Sequence, residues 1–432
     1  MRWHKKFKVL RCYILILGWL GIILLFLSYW RVETDVAHPP PPPLQVNSGS
    51  QPVLSSVQHE KPRSKKLRHQ CNPADRIQRH QEGVLPSQYE LSGVMIVLRH
   101  GDRGPLLNGV LQHLQLGKIL KEIYFYEFNL LGNKQQLDDI IVYSTKYRRT
   151  FQSVLAFLYS FIPKFDISKI RLREGKGVSF CENDCHCEKT DYFDQKYDQE
   201  RKDYRKSHPG VIELVRRINP LIKAKASAED IINPLVMRDA LLSYVCHGAA
   251  LPCNNERCVK VEDVTSLISY EEWEGKQKRT SAQRRAAKLK SYGLLKNIVA
   301  TIDRMIGDAK PRVVIYSGHD KTLKYLLDSL AIPNYPVPYY ASRLILELYR
   351  NSSVTHNSSH RMNFFFRFVY NGKDITKSIP FCDSITIKQL KSGSVKRGTI
   401  SMCSVSKLES YIRPEQYFKE FSAVSFREAC RK

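Results

Sequence analysis

The sequence predicts an α/β fold, a sheet flanked by helices with charged loops at the C-terminal ends of its strands. Three strand-then-helix units carry that reading. In the first, Val94–Leu98 is five apolar residues in a row, three of them β-branched, as in a strand buried on both faces. It runs directly into Arg99-His100-Gly101-Asp102-Arg103-Gly104-Pro105, with Gly101 and Gly104 read as hinges of a tight turn, and helical spacing follows over 111–128. In the second, Asp139–Tyr143 leads into Ser144-Thr-Lys-Tyr-Arg-Arg149-Thr150 and a helical pattern over 151–161. In the third, Pro311–Tyr316 ends in Ser317-Gly-His319-Asp320-Lys-Thr322, with a helix expected to Leu330. The crevice at such strand ends is where α/β sheets bind ligands.

Between the second and third units, residues 162–310 read mostly as loops and helices and are expected to form an α-helical cap over the site. Residues 343–349 and 363–370 alternate apolar and polar side chains and suggest added antiparallel strands. The loop between them carries the glycosylation acceptor patterns Asn351-Ser-Ser and Asn357-Ser-Ser.

The N-terminal region assigns a compartment. Cys12–Trp30 contains no charged residue and as a helix would span about 28 Å, close to the thickness of a bilayer core. Arg2, Lys5, Lys6, Lys8 and Arg11 precede it and only Arg31 follows closely, which keeps residues 1–11 cytosolic. A type II signal-anchor at 12–30 is expected rather than a cleaved signal peptide, because the run is long and no small-residue cleavage site follows. Residues 31–88, with the Pro39–Pro43 run and a basic segment at 61–68, read as a flexible stem, and the folded lumenal domain as 89–432. Ten of the eleven cysteines lie between Cys71 and Cys430, an even number suited to disulfides in an oxidising lumen. The spacing of Cys181, Cys185 and Cys187 matches no common zinc site.

A net charge of +26 points to anionic partners. Lumenal topology excludes nucleic acid and leaves the membrane, through the anchor, and acidic glycans. The basic run Lys276, Lys278, Arg279, Arg284, Arg285, Lys288 and Lys290 reads either as a solvated helix or as a glycosaminoglycan contact. Lys146 and Arg148 should make the mouth of the pocket basic.

Two guanidiniums can grip a phosphate by forked hydrogen bonds, and positive neighbours keep an imidazole neutral and nucleophilic. The strand ends therefore describe a phosphoryl-transfer site composed of Arg99, His100, Arg103, Arg149, His319 and Asp320. Arg148 reads as a solvated neighbour, and Asp102 as a residue that orients an arginine.

At these residues the chain resembles the histidine acid phosphatases. Arg99–Pro105 matches the family's R-H-G-x-R-x-P motif, and 109–117 its next block. Ser144, Arg149, Thr150 and Ser153 match its arginine motif, Ser317–Asp320 its late His-Asp motif, and Tyr340-Ala-Ser342 with Glu347-Leu-Tyr349 the segment after it. The resemblance implies a phosphoglycerate-mutase-like sheet and hydrolysis of phosphomonoesters through a phosphohistidine, without metal or cofactor. In it His100 is the nucleophile and Asp320 the proton donor, while Arg99, Arg103, Arg149 and His319 bind the phosphate. A carboxyl in that role needs a raised pKa or an acidic compartment.

Anchor, stem and basic lumenal domain together resemble a Golgi branch of the family. That branch implies removal of the 2-O-phosphate from xylose in the glycosaminoglycan–protein linkage region. The substrate would then be a phosphorylated glycan on a core protein, with a glycosyltransferase or kinase of the same assembly route as partner. An inositol polyphosphate phosphatase and an inactive glycan-binding partner are the alternatives.

Overall fold

A computed structural model describes residues 64–84, 88–103, 107–132, 139–181, 186–222, 233–254, 257–277, 279–308, 310–353, 361–388 and 399–431. The expected anchor at 12–30, most of the stem, and Asn357 lie outside them; no described helix is long and apolar enough to cross a membrane. In chain order the elements are α1 (Lys65–Cys71), β1 (Tyr89–Arg99), α2 (Leu107–Lys121), β2 (Ile140–Thr145), α3 (Arg148–Phe161) and β3 (Arg171–Gly175). Helices α4 (Glu188–Lys206), α5 (Pro209–Ile222) and α6 (Pro234–Cys246) follow, then a short hairpin of β4 (Cys253–Asn254) and β5 (Arg257–Cys258), α7 (Val261–Lys276) and α8 (Ser281–Gly307). The chain continues through β6 (Val313–Gly318), α9 (Asp320–Ser329), β7 (Arg343–Asn351), β8 (Phe364–Tyr370), β9 (Lys373–Asp374), β10 (Ile385–Lys388), β11 (Thr399–Ser404) and α10 (Val405–Ile412). Two short helices close it, α11 (Pro414–Tyr417) and α12 (Phe426–Arg431).

Nine strands form one sheet in the order β10-β11-β8-β7-β1-β6-β2-β3, with β9 beside β8. The half holding β1, β6, β2 and β3 is parallel, and β7, β8, β11 and β10 extend it antiparallel. Strand periodicity sends Val94, Ile96 and Leu98 of β1 to a core with α2 and α3, around Leu116, Leu120 and Phe157. Met95 and Val97 point the other way, into a core that includes Leu295 and Ile298 of α8 and Leu323 and Leu327 of α9. A strand covered on both faces explains the unbroken apolar run.

The expected cap at 162–310 needs correction at both ends. β3 joins the main sheet beside β2, but its first four residues are exposed, so no apolar run marks it as a strand. α8 is a sheet-covering helix, because its apolar side (Leu294, Leu295, Ile298, Ile302, Met305) packs in the sheet core. The separate helical core is α5, α6 and α7, closed by Leu67 and Cys71 of α1.

The stem is corrected as well, since the folded domain includes residues 64–84 and does not begin at 89. Cys71 is disulfide-bonded to Cys246 at the end of α6. Glu82 is completely buried against Arg343, whose Nε donates to Glu82 Oε1 at 2.8 Å and whose Nη2 donates to the Gln78 carbonyl at 3.0 Å. Gly83 N–H donates to Glu347 Oε1 at 2.7 Å, and Arg367 Nη1 to the Val84 carbonyl at 2.7 Å. Polar contacts to residues more than 250 positions away leave no periodic signal in the segment itself.

The basic run is largely consumed inside the domain. Arg279 pairs with Asp328, Lys288 with Glu420 at 2.9 Å, and Lys290 with Asp194. Arg284 and Arg285 donate to the carbonyls of Arg279 and Glu420 at 2.7 and 2.9 Å. These cations join α8 and the turn before it to their neighbours. Every described cysteine is in a disulfide, including Cys187–Cys430, Cys253–Cys258 and Cys382–Cys403.

Burial alone would raise the Glu82 carboxyl, but Arg343 and the His80 N–H outweigh it and hold the pKa below the usual range. Such a pair stabilises the fold above the unfolded-state pKa and loses that contribution as pH falls. Glu82→Ala should cost about 3–5 kcal/mol in urea unfolding at pH 7. The gap should narrow in acid, and an unchanged midpoint would place 64–84 outside the cooperative unit.

Candidate active site

Parallel pairing of β1 with β6 sets Arg99 opposite Gly318, and His100 N–H donates to the Gly318 carbonyl at 3.0 Å. The residues that follow on each strand are thereby brought together. The His100 and His319 rings lie 5.5 Å apart at 73°. The loop after β1 is held from several sides. Gly101 N–H donates to Ser153 Oγ of α3 at 2.9 Å and Asp102 N–H to Gln112 Oε1 of α2 at 2.9 Å. Gln112 Nε2 in turn donates to the carbonyls of Cys71 and Asn72 at 2.7 and 3.0 Å. Gly101 is required by close approach, because a Cβ there would stand 2.5 Å from the Gly109 carbonyl oxygen. Gly104 lies outside the described residues.

His100 is completely buried. Its Nδ1 is 2.7 Å from the Gly101 carbonyl, which can only accept, so Nδ1 carries the proton and Nε2 has the free lone pair. Nε2 has no hydrogen-bond partner among the described residues. Burial first, then the Arg99 charge, push the His100 pKa well below its ordinary value. Arg99 lies 4.6 Å over the Tyr340 ring and donates through Nη1 to the Pro338 carbonyl at 2.6 Å. Its Nε and Nη2 are buried without a hydrogen-bond partner among the described residues, and Nη2 is 3.9 Å from Asp320 Oδ2.

Arg149, at the start of α3, lies 4.5 Å over Tyr147, and its Nη2 donates to His319 Nδ1 at 3.4 Å. That leaves His319 Nε2–H to donate to Thr145 Oγ1 at the end of β2, 3.0 Å away. Burial and then Arg149 lower the His319 pKa to about 4. Arg149, Arg103, His319 and Asp320 all line a cavity of about 570 Å³ between the strand ends and the helical core. Lys146 and Arg148 are exposed and do not line the cavity, whose wall takes Tyr147 and Arg149 from this segment.

Arg103 reaches the cavity, but its guanidinium is ion-paired with Asp239 of α6, which also lies 3.6 Å from Arg238. Asp102 accepts from the Arg103 N–H at 2.7 Å and faces His247 Nε2 at 3.1 Å. Of the two conditions under which Asp320 could be protonated, a raised pKa or an acidic compartment, the free enzyme does not supply the first. Burial raises the pKa, but the Arg99 charge and the Lys321 N–H hold it below the ordinary carboxylate range. Sequence reasoning missed Asp239, Thr145 and Tyr147. The first sits in an insertion without a motif; Thr145, which ends β2, and Tyr147, in the turn after it, have no distinguishing signal until the fold sets them beside His319.

Five groups thus converge at one end of the sheet, namely a neutral buried imidazole, two guanidiniums with unused donors, a second neutral imidazole and a carboxylate. This set can bind a tetrahedral dianion, attack it and exchange a proton with a leaving group. The family model for the histidine phosphatase superfamily (branch 2) matches residues 107–371. The curated relatives include 2-phosphoxylose phosphatase 1 of Xenopus tropicalis, 25% identical over 84% of this chain and 81% of the relative. The Homo sapiens protein of the same name is 24% identical over 84% and 85%. Prostatic acid phosphatase of Rattus norvegicus is 23% identical over 68% and 82%. Among solved structures, the D. castellii phytase shares the fold with a TM-score of 0.52 at 14% identity, covering 90% of this chain and 92% of that one. This chain belongs to branch 2 of the histidine phosphatase superfamily and is a phosphomonoester hydrolase.

Proposed function

We propose that the enzyme removes a phosphate from a sugar hydroxyl, specifically the 2-O-phosphate of xylose in the glycosaminoglycan–protein linkage region. In this reading it acts in the Golgi lumen, held there by the anchor at 12–30. The observation that carries the chemistry is His100, whose Nε2 lone pair is buried and unengaged beside the open donors of Arg99. The sugar is supported by the two 2-phosphoxylose phosphatases that match most of this chain. A lumenal setting is supported by disulfides at every described cysteine.

The phosphate oxygens take the free donors of Arg99 and Arg149, with Arg103 joining as its pairing with Asp239 is shared. His100 Nε2 attacks phosphorus, the P–O bond to the sugar breaks, and Asp320 gives its proton to the departing oxygen. The Gly101 carbonyl holds Nδ1–H as the ring becomes cationic. Water then attacks the phosphohistidine and returns a proton to Asp320, and the N–P bond breaks to release phosphate. In the free enzyme Arg99 keeps Asp320 ionised. A phosphate dianion on Arg99 competes for the same charge and, as a like neighbour, favours the protonated carboxyl. Asp320 is therefore armed by substrate binding, and more fully at low pH.

His100→Ala should abolish turnover while phosphate still protects the protein in thermal unfolding; normal turnover would sink the mechanism. Asp320→Asn should slow sugar phosphates at least tenfold more than phenyl phosphate, whose leaving group needs less help, and equal slowing would remove Asp320 as the acid. Phosphate-protectable inactivation by diethyl pyrocarbonate, which attacks neutral imidazole, should persist at pH 5. An ordinary histidine (pKa about 6.5) is mostly protonated at that pH, so inactivation that fades near 6.5 would contradict the buried neutral His100. The substrate is tested by kcat/KM for a 2-phosphoxylose-containing linkage oligosaccharide against an aryl phosphate. A preference for the aryl compound would reject the sugar assignment.

A further inference from the structure

The cavity over the strand ends has a neighbour. A second cavity, of about 520 Å³, shares Gly275, Tyr335 and Val337 with it, and none of the phosphate-site residues line this second space. Its other walls come from α1 (His69, Gln70), α7 (Glu272, Lys276) and the segment after α9 (Asn334, Pro336). The two differ in chemistry. The first is lined by five arginines and two lysines set among five carboxylates, those of Asp198, Asp239, Glu271, Glu274 and Asp320. The second has no arginine in its wall; its charged side chains are only Lys276 and Glu272, the latter bridged to Lys66 at 3.1 Å. Burial and then Arg76 lower the His69 pKa, so its imidazole is neutral at pH 7. Two amides, a neutral imidazole, one carboxylate and one ammonium, beside a tyrosine ring, are a donor and acceptor set for hydroxyl groups. They are poorly suited to a second phosphate or sulfate.

We propose that this second cavity is a subsite for an uncharged sugar attached to the phosphorylated one. The glycan runs from the phosphate site over the ridge of Gly275, Tyr335 and Val337. The inference rests on the sugar-phosphate reading above and adds that the enzyme recognises an oligosaccharide rather than a lone sugar. It also gives the segment around α1 a role in specificity, since His69 and Gln70 reach the substrate from there. Gly275 keeps the ridge low. It is exposed, next to the last residue of α7, and an added Cβ would meet only Val337 Cγ2 at an ordinary 3.6 Å. A large side chain there obstructs the passage without disturbing the core.

The test compares phenyl phosphate, 2-phosphoxylose, and a trisaccharide of 2-phosphoxylose extended by two neutral hexoses, using the whole lumenal domain. The wild-type enzyme should have a kcat/KM at least tenfold higher for the trisaccharide than for 2-phosphoxylose. Gly275→Phe and Asn334→Ala should each reduce that ratio at least fivefold. Asn334 lines the second cavity alone, so its variant should hydrolyse phenyl phosphate within twofold of wild type. A wild-type ratio near one, or an unchanged ratio in both variants, overturns the subsite and leaves the sugar-phosphate reading standing. Loss by Asn334→Ala on all three compounds in equal measure also overturns it, since that is the mark of structural damage. If wild-type enzyme cleaves phenyl phosphate but neither xylose compound, the sugar assignment fails and the subsite fails with it.

Discussion

The pairing of two parallel strands is the constraint on which the site depends. Once Arg99 lies opposite Gly318, His100 and His319 are neighbours and Asp320 opens a helix within reach of Arg99. No side chain has to search for that arrangement. The backbone ladder sets it, and both faces of the sheet are packed to hold the ladder still. A buried imidazole beside a buried guanidinium is electrostatically unfavourable if charged, so the same placement that orients His100 keeps it neutral and ready to attack.

Cations elsewhere in the domain are matched by acids. Arg343 has Glu82, Arg367 has Glu347 at 3.3 Å, Arg238 has Glu271, and Arg103 has Asp239. Such pairs offset the cost of burying charge. Arg99 differs in degree: it is 3.9 Å from Asp320, and both its Nε and Nη2 are buried with no hydrogen-bond partner among the described residues. The basic run 276–290 illustrates the same rule, since most of its charges are spent on Asp328, Glu420, Asp194 and backbone carbonyls. Charge density in a sequence did not distinguish a binding surface from an internal lattice of ion pairs.

What could be read in advance was whatever is local. β1, β2 and β6 were legible because a strand buried on both faces is an uninterrupted apolar run, and their C-terminal loops carry the reactive residues in contiguous motifs. β7 and β8 were legible by alternation. β3 was not, because an edge strand with exposed side chains leaves no apolar signature. The ordering of 64–84 was not, because it is imposed by Arg343, Arg367 and Cys246 from far along the chain. α8 was placed in the cap for a related reason: its residues identify a helix but not the surface it covers.

By itself the sequence determined the α/β class, the reactive residues at the three strand ends and the family to which they belong. These are properties of short segments, set by side-chain periodicity and residue type. Only the tertiary structure decided the protonation and engagement of those residues. Asp320 is ionised because Arg99 faces it, Arg103 is shared with Asp239 from a helix more than a hundred residues later, and Gln112 links the His100 loop to residues 71 and 72. Electrostatic coupling acts through space over a few ångströms, and neighbours at that range are chosen by the fold, not by proximity in the chain.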